Sequence, residues 1–268
     1  MANTKIEWTE RVYNPTTGCT QISKGCARCY ALRMAKRLAG RVGYPEAPNQ
    51  FRLTLHPDRL FLPLKWKKPS RIFVDSMSDL FHKDVPFDFI DQVFVVMKMA
   101  WRHTFQLLTK RPERMFEYLN RYTVGGWHTR EIVLHNAVRD FGANSTSENT
   151  VWPLRNVWLG VSAEDQKAAD GRLPWLLKTP AAVHFVSVEP MLGPVNLGWD
   201  INRLDWIIIG AESGPGARAF ELQWAFDLVR QCRDSEVPVF VKQLRIDGKL
   251  THDMNDFPEG LRVREYPV

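Results

Sequence analysis

Six short runs of β-branched and aromatic residues recur along the chain with longer helix-like stretches between them, and this rhythm restricts the fold more than any other feature. The runs are RIFVDSM (71–77), TFQLLTK (104–110), NVWLGVS (156–162), VHFVSVEP (183–190), DWIIIGAES (205–213) and VPVFVKQ (237–243). They are almost continuously apolar, as strands buried on both faces of a parallel sheet must be. Amphipathic segments at 86–102, 111–122, 165–179 and 221–235 each follow a strand and its loop. That order predicts an α/β fold in which right-handed crossovers build a parallel sheet, a partial or complete (β/α) barrel. No Gly-rich dinucleotide fingerprint follows any of the strands, which disfavours a Rossmann domain. The stretch 123–155 breaks the rhythm and reads as an insertion between two units of a single domain spanning 1–268.

A chain of 268 residues can bury a sizeable core without metal or disulfides. It has no run of eighteen apolar residues, and its start, MANTKIEWTE, carries no hydrophobic signal region, so a cytoplasmic protein with no membrane segment is expected. Lysine and arginine number 36 against 30 aspartate and glutamate, a net charge of +6. That modest excess suits a nucleic acid partner without requiring one. The basic stretches KWKKPSR (65–71) and TKRPERM (109–115) read equally well as solvated surface or as phosphate contacts.

Three of the four cysteines fall within eleven positions, in NPTTGCTQISKGCARCYALR (14–33), with the spacing C-x6-C-x2-C. Polar flanks are poor surroundings for structural thiols, and in a reducing compartment such a cluster points to metal or redox chemistry. Cys19, Cys26 and Cys29 leave a tetrahedral zinc one ligand short, which His56 or His82 could supply. An iron–sulfur cluster explains the shortage differently: three thiolates hold three irons and leave the fourth open to a substrate or cofactor. Cys232 lies in an amphipathic helix pattern and reads as core.

Polar residues gather where each strand ends, which is where a barrel builds its site. They are Asp75, Ser76 and Asp79, then Thr109 with Lys110 and Arg111, Ser162 and Glu164, Glu189, Glu212, and Lys242 with Gln243. Any one of them could be a cap or a surface charge. Their recurrence at the same end of successive strands implies a polar mouth, because burying carboxylates and a lysine is costly unless something polar occupies it.

A three-cysteine loop ahead of a parallel α/β series resembles the radical SAM superfamily, in which three cysteines hold a [4Fe-4S] cluster and S-adenosyl-L-methionine binds the open iron. More closely, NPTTGCTQISKGCARCYA, FVDSMSDLFH, VWLGVSAEDQ, VSVEPMLGPV, IIIGAESGPGARAF and VFVKQ together resemble a phage-associated family of three-cysteine-motif proteins of undescribed function, over nearly the whole chain. CYALR is also similar to the spore photoproduct lyase branch, whose members act on DNA. The superfamily's usual spacing is C-x3-C-x2-C with an aromatic before the last cysteine; here Arg28 holds that place and Tyr30 follows instead. DSMSD stands where the superfamily commonly has GGE. The resemblance implies a radical SAM barrel, cluster ligation by Cys19, Cys26 and Cys29, and an external electron donor. By location it assigns Ser76 and Asp79 to the methionine amino group and Ser162 with Glu164 to the ribose. Lys110, Arg111, Glu189, Glu212, Lys242 and Gln243 are the substrate-binding candidates, and the substrate expected is a nucleic acid or a nucleotide-derived group. The competing expectation is a non-catalytic nucleic-acid-binding protein with a structural zinc.

Overall fold

A computed structural model describes residues 4–120 and 152–268. Its frame is an eight-stranded sheet. The strands are β1 (Arg11–Tyr13), β4 (Arg71–Val74), β5 (Thr104–Thr109), β6 (Val157–Ser162), β7 (Val183–Val188), β8 (Trp206–Gly210), β9 (Val239–Ile246) and β10 (Lys249–Thr251), side by side in that order. The first seven pair in parallel, and β10 returns antiparallel to β9. β2 (Thr16–Thr17) and β3 (Thr54–Leu55) form a separate small ladder. The helices are α1 (Tyr30–Leu38), α2 (Phe87–Met99), α3 (Pro112–Asn120), α4 (Gln166–Lys178) and α5 (Leu222–Asp234). All six predicted strands and four predicted helices are found, within a few residues at their ends. The expected insertion at 123–155 lies outside the described residues as far as 151.

Helices α2, α3, α4 and α5 pack on the same side of the sheet. Ile72, Val74, Phe105, Leu107, Val186 and Ile207 face outward and join one aliphatic core with the apolar stripes of α2, α3, α4 and α5. The inward-pointing residues make a second, aromatic cluster of Trp8, Phe185, Trp206, Ile208 and Phe240, with Phe73 and Trp158 packed against it. Trp8 measures the curvature of the sheet. Its ring centre lies 4.6 Å from that of Phe73 on β4 and 6.1 Å from that of Trp206 on β8. Four strand spacings, about 19 Å in a flat sheet, separate β4 from β8. One indole reaches both only because the sheet curls inward around it.

The ladder itself stays open, with β1 and β10 as its edges. Side chains bring these edges together: Glu7 hydrogen-bonds His252 through its carboxylate, and Tyr266 donates to the Glu7 carbonyl at 3.4 Å. Inside, Gly160 makes room for its neighbour strand, since a Cβ there would come within 2.5 Å of the Phe185 ring. Among the described residues no helix is long and apolar enough to cross a membrane.

Candidate functional site at the strand ends

The cysteine loop lies across the C-terminal ends of the parallel strands. Gly18 starts it, donating its N–H to the Met77 carbonyl at 3.0 Å and accepting from the Ser78 hydroxyl at 2.7 Å, so the segment after β4 fixes its entry. Three carboxylate–arginine pairs then hold it, each rising from the loop after a different strand.

The first pair follows β4 and β5. Asp79 is buried and accepts from Phe81 N at 3.0 Å, Thr109 Oγ1 at 2.7 Å, Lys110 N at 3.2 Å and Arg111 Nη1 at 2.9 Å. Those four donors occupy the capacity of a carboxylate. Arg111, thus aimed, donates to Cys19 Sγ at 3.4 Å, Thr20 O at 2.9 Å and Thr20 Oγ1 at 3.0 Å. The second pair follows β6. Arg172 on α4 donates to Glu164 Oε2 at 2.6 Å and to the Ser162 carbonyl at 2.6 Å, while Glu164 Oε1 accepts from Gly25 N at 3.3 Å. A Cβ at Gly25 would sit 3.0 Å from the Glu164 carboxyl carbon, so the loop is seated as closely as a glycine allows. The third pair follows β8. Arg218 chelates Glu212 through Nη2 and through Nε at 2.9 Å, and its Nη1 donates to the Lys24 carbonyl at 3.0 Å. Arg28, from the cysteine loop itself, adds a contact to Glu212 at 3.4 Å.

These partners split the thiols. Burial, joined by the Asp79 charge, pushes Cys19 up to about 11 despite Arg111. Burial also acts to raise Cys26, but a backbone hydrogen bond at Ile22, the Lys110 charge and Ser23 more than offset it, and Cys26 lies below the ordinary thiol range. Cys26 and Ser23 Oγ are 3.7 Å apart, and the charge on Cys26 opposes ionisation of Cys19. Cys29 is the N-cap residue of α1. All three are partly exposed and free of disulfides, whereas Cys232 is buried in the outer core as expected. Among the described residues no three Cys, His, Asp or Glu side chains already converge to hold a metal ion.

The predicted residues therefore divide by task. Asp79 and Glu164, expected to bind cofactor, hold the cysteine loop through Arg111 and Gly25. Arg111 and Glu212, expected to meet substrate, are engaged within the same framework. Glu164 is held down to about 2, because the Arg172 hydrogen bonds outweigh the burial that would raise it. Glu212 is lowered by Arg218 against the same opposing burial. Ser76 donates to Asn14 Oδ1 at 3.2 Å, and Ser162 is buried on the inner face. His82 is committed on both ring nitrogens: Nδ1 accepts from Asp84 N at 3.2 Å and Nε2 meets Thr20 Oγ1 at 2.9 Å. His56 meets Thr17 Oγ1 at 2.8 Å.

One charged pair at this pole holds no part of the loop. Lys242 Nζ donates to Glu189 Oε1 at 2.5 Å, and Gln243 Nε2 reaches the same oxygen at 3.3 Å. Lys242 belongs to the inward series that begins with Phe240, one step above the aromatic cluster, and Gly210 beside Glu189 leaves the space a side chain would fill. Lys110 lines a cleft of about 310 Å³ between Ser23 and Lys24 of the loop, Glu113 on α3, the Glu164–Arg172 pair, and Asp165 and Lys167 at the start of α4.

Sequence reasoning missed Arg172 and Arg218. Arg172 left a trace, since it falls on the buried stripe of α4 with Ala169, Leu173 and Leu176, and an arginine on an apolar stripe needs a partner. Arg218 left none. Asp75 was placed at a strand end but given no role. It is fully buried, at φ +57, and its carboxylate accepts from Thr16, from N at 3.0 Å and from Oγ1 at 2.9 Å. With no cation bonded to it, burial pushes it up to about 8.

Residues 3–255 match the model of a family described as "Protein of unknown function (DUF5131)". No curated protein and no solved structure matches the chain.

Proposed function

The chain belongs to the DUF5131 family, whose description assigns no function, and from that premise we propose that it is a radical SAM-like enzyme. In this reading Cys19, Cys26 and Cys29 ligate a [4Fe-4S] cluster, and the curled sheet is a partial radical SAM barrel. The observation that carries it is the position of the cysteine loop: across the C-terminal ends of seven parallel strands, held there by three buried carboxylates, each paired with an arginine. The donor set fits the group. Three thiols free of disulfides share one loop, and Arg111 and Ser23 stand beside two of the sulfurs, where they can tune a cluster's potential. When bound, the cluster would pass one electron from an external donor to S-adenosyl-L-methionine, the chemistry of reductive cleavage into methionine and a 5′-deoxyadenosyl fragment.

The chain's own residues bind and orient. Asp79, Glu164 and Glu212 set the pose of the loop through their arginines and the Gly25 N–H. The hydroxyls of Ser162 and of Ser76, which donates to Asn14 Oδ1, would be the ones to meet the cofactor. Glu189 and Lys242 contact the substrate, because their pair holds no part of the cysteine loop, and Gln243, which also donates to the Ala211 carbonyl at 2.6 Å, stands beside them. A carboxylate, an ammonium and an amide side by side suit a substrate edge offering both donors and acceptors, as a nucleobase does. Lys110, which lines the cleft, would meet a phosphate of such a substrate. An external electron donor is required.

Anaerobic reconstitution with iron and sulfide, followed by assay for 5′-deoxyadenosine under reduction, tests the reading. Alanine at Cys19, Cys26 or Cys29 should abolish cluster and product, and Cys232→Ala should leave both. Stoichiometric zinc without iron after anaerobic purification overturns it.

A further inference from the structure

The two basic stretches lie at opposite poles. Lys110 and Arg111 follow β5, beside the cysteine loop. The stretch 65–71 instead precedes β4, at the N-terminal ends of the strands, about 20 Å away along a six-residue strand. There it meets two more segments. Thr104 N donates to Ser70 O at 3.0 Å, His103 Nε2 lies 3.0 Å from Trp66 O, and Asn156 Nδ2 donates to His103 O at 3.1 Å. The starts of β4, β5 and β6 are thereby drawn together.

These segments read KWKKPSR (65–71), AWRHT (100–104) and WPLRNV (152–157), with no acidic residue among them. Lys65, Lys67, Lys68, Arg102 and Arg155 are exposed, and among the described residues their side chains have no ion-pair partner. Trp101, beside Arg102, is 72% exposed. The other half of this pole is mixed, since Asp200, Asp205, Asp234 and Glu236 precede β8 and β9 together with Arg233, a second exposed indole at Trp199, and Arg203, which pairs with Asp200. The three segments thus carry five exposed cations and no carboxylate of their own, with Glu10 at their edge beside Arg71, and they surround an indole that nothing described covers.

We propose that this sector, at the N-terminal ends of β4, β5 and β6, is a docking surface for single-stranded nucleic acid, distinct from the pole that carries the cysteines. Unpaired cations take the phosphates, and an exposed indole takes an unpaired base, whose face a duplex would already have stacked. An acidic protein would satisfy the charges but gives no reason for the bare ring. The distance from the cysteine loop also sets this surface apart from the reaction site, so the proposal stands independently of the cluster reading.

Fluorescence anisotropy with labelled oligothymidylate and oligouridylate tests it. With five phosphates neutralised, affinity should fall about a hundredfold between 50 and 200 mM salt. The double variant Lys67→Glu/Lys68→Glu should abolish binding at the higher salt, and Trp101→Ala should weaken it about tenfold without flattening the salt dependence. Cys19→Ala should bind as the parent does. All of these changes are at the surface or in a loop, and circular dichroism checks the fold. Absence of binding at low salt, binding indifferent to Trp101, a preference for duplex, or selective retention of acidic proteins in place of either oligomer overturns the proposal.

Discussion

At the N-terminal end of the sheet's inner face, Trp8, Trp158, Phe185, Phe240 and Tyr266 pack ring against ring around Trp206. At the C-terminal end, Asp79, Glu164 and Glu212 are each buried against an arginine. The same sheet face thus ends in opposite materials, and the contrast separates stability from positioning. Ring packing is favourable without any partner from outside. A buried ion pair roughly breaks even against an apolar pair of the same volume, because desolvation cancels most of the attraction. Three such pairs around one loop are therefore poorly explained as a source of stability and well explained as fixing where that loop lies.

Substitutions at the two ends can break this contrast. Trp206→Ala, which removes the ring that five others touch, should cost about 5 kcal/mol in denaturant unfolding. Arg172→Met, which strands the Glu164 carboxylate in the interior, should cost about 3–4 kcal/mol. The double variant Arg172→Met/Glu164→Gln should recover most of that stability. It should nonetheless lower cysteine-dependent iron loading, because Gly25 loses its charged acceptor. A double variant as unstable as the single one would show that the pair serves stability after all.

Acid should act through the same carboxylate. The folded Glu164 lies at about 2, below the ordinary glutamate value, so its contribution is complete above about pH 5 and is lost as pH falls toward 2. Asp75 runs the other way. Its folded value of about 8 lies above the ordinary aspartate value, so the ionised side chain opposes folding increasingly from about pH 4 to 8. Asp75→Asn should therefore be near neutral at pH 4 and stabilising by more than about 1 kcal/mol at pH 8. Asparagine also tolerates the positive φ at this position. The smallest effect is expected at Lys24, 77% exposed and 3.7 Å from Asp165; Lys24→Ala should change stability by less than about 0.5 kcal/mol.

The strands and helices of the main sheet were legible because burial on both faces leaves a continuous apolar run, a signal that needs no neighbour to interpret. β2 and β3, at two residues each, are too short to show any period. β10 could have been found from the turn before it, since Asp247 and Gly248, both with positive φ, are the hairpin pair that joins it to β9. The polar mouth was legible as a position, at the ends of successive strands. The task of each member was not: a carboxylate that binds a ligand and one that holds an arginine look alike until the arginine is located.

By itself the sequence determined the α/β order, the three thiols on one loop and the pole at which that loop and its carboxylates would meet, because these depend on local period and on the rule that parallel strands end together. Tertiary structure decided which carboxylates were already satisfied and which remained available. Arg172 reaches Glu164 from a helix eight residues on, Arg218 joins Glu212 to a carbonyl 194 positions earlier in the chain, and Glu189 with Lys242 holds no part of the cysteine loop. It also decided that two similar basic stretches face opposite ways, since direction relative to the sheet depends on whether a segment enters a strand or leaves it. Hydrogen-bond saturation and direction are properties of three-dimensional neighbours, and no one-dimensional pattern carries them.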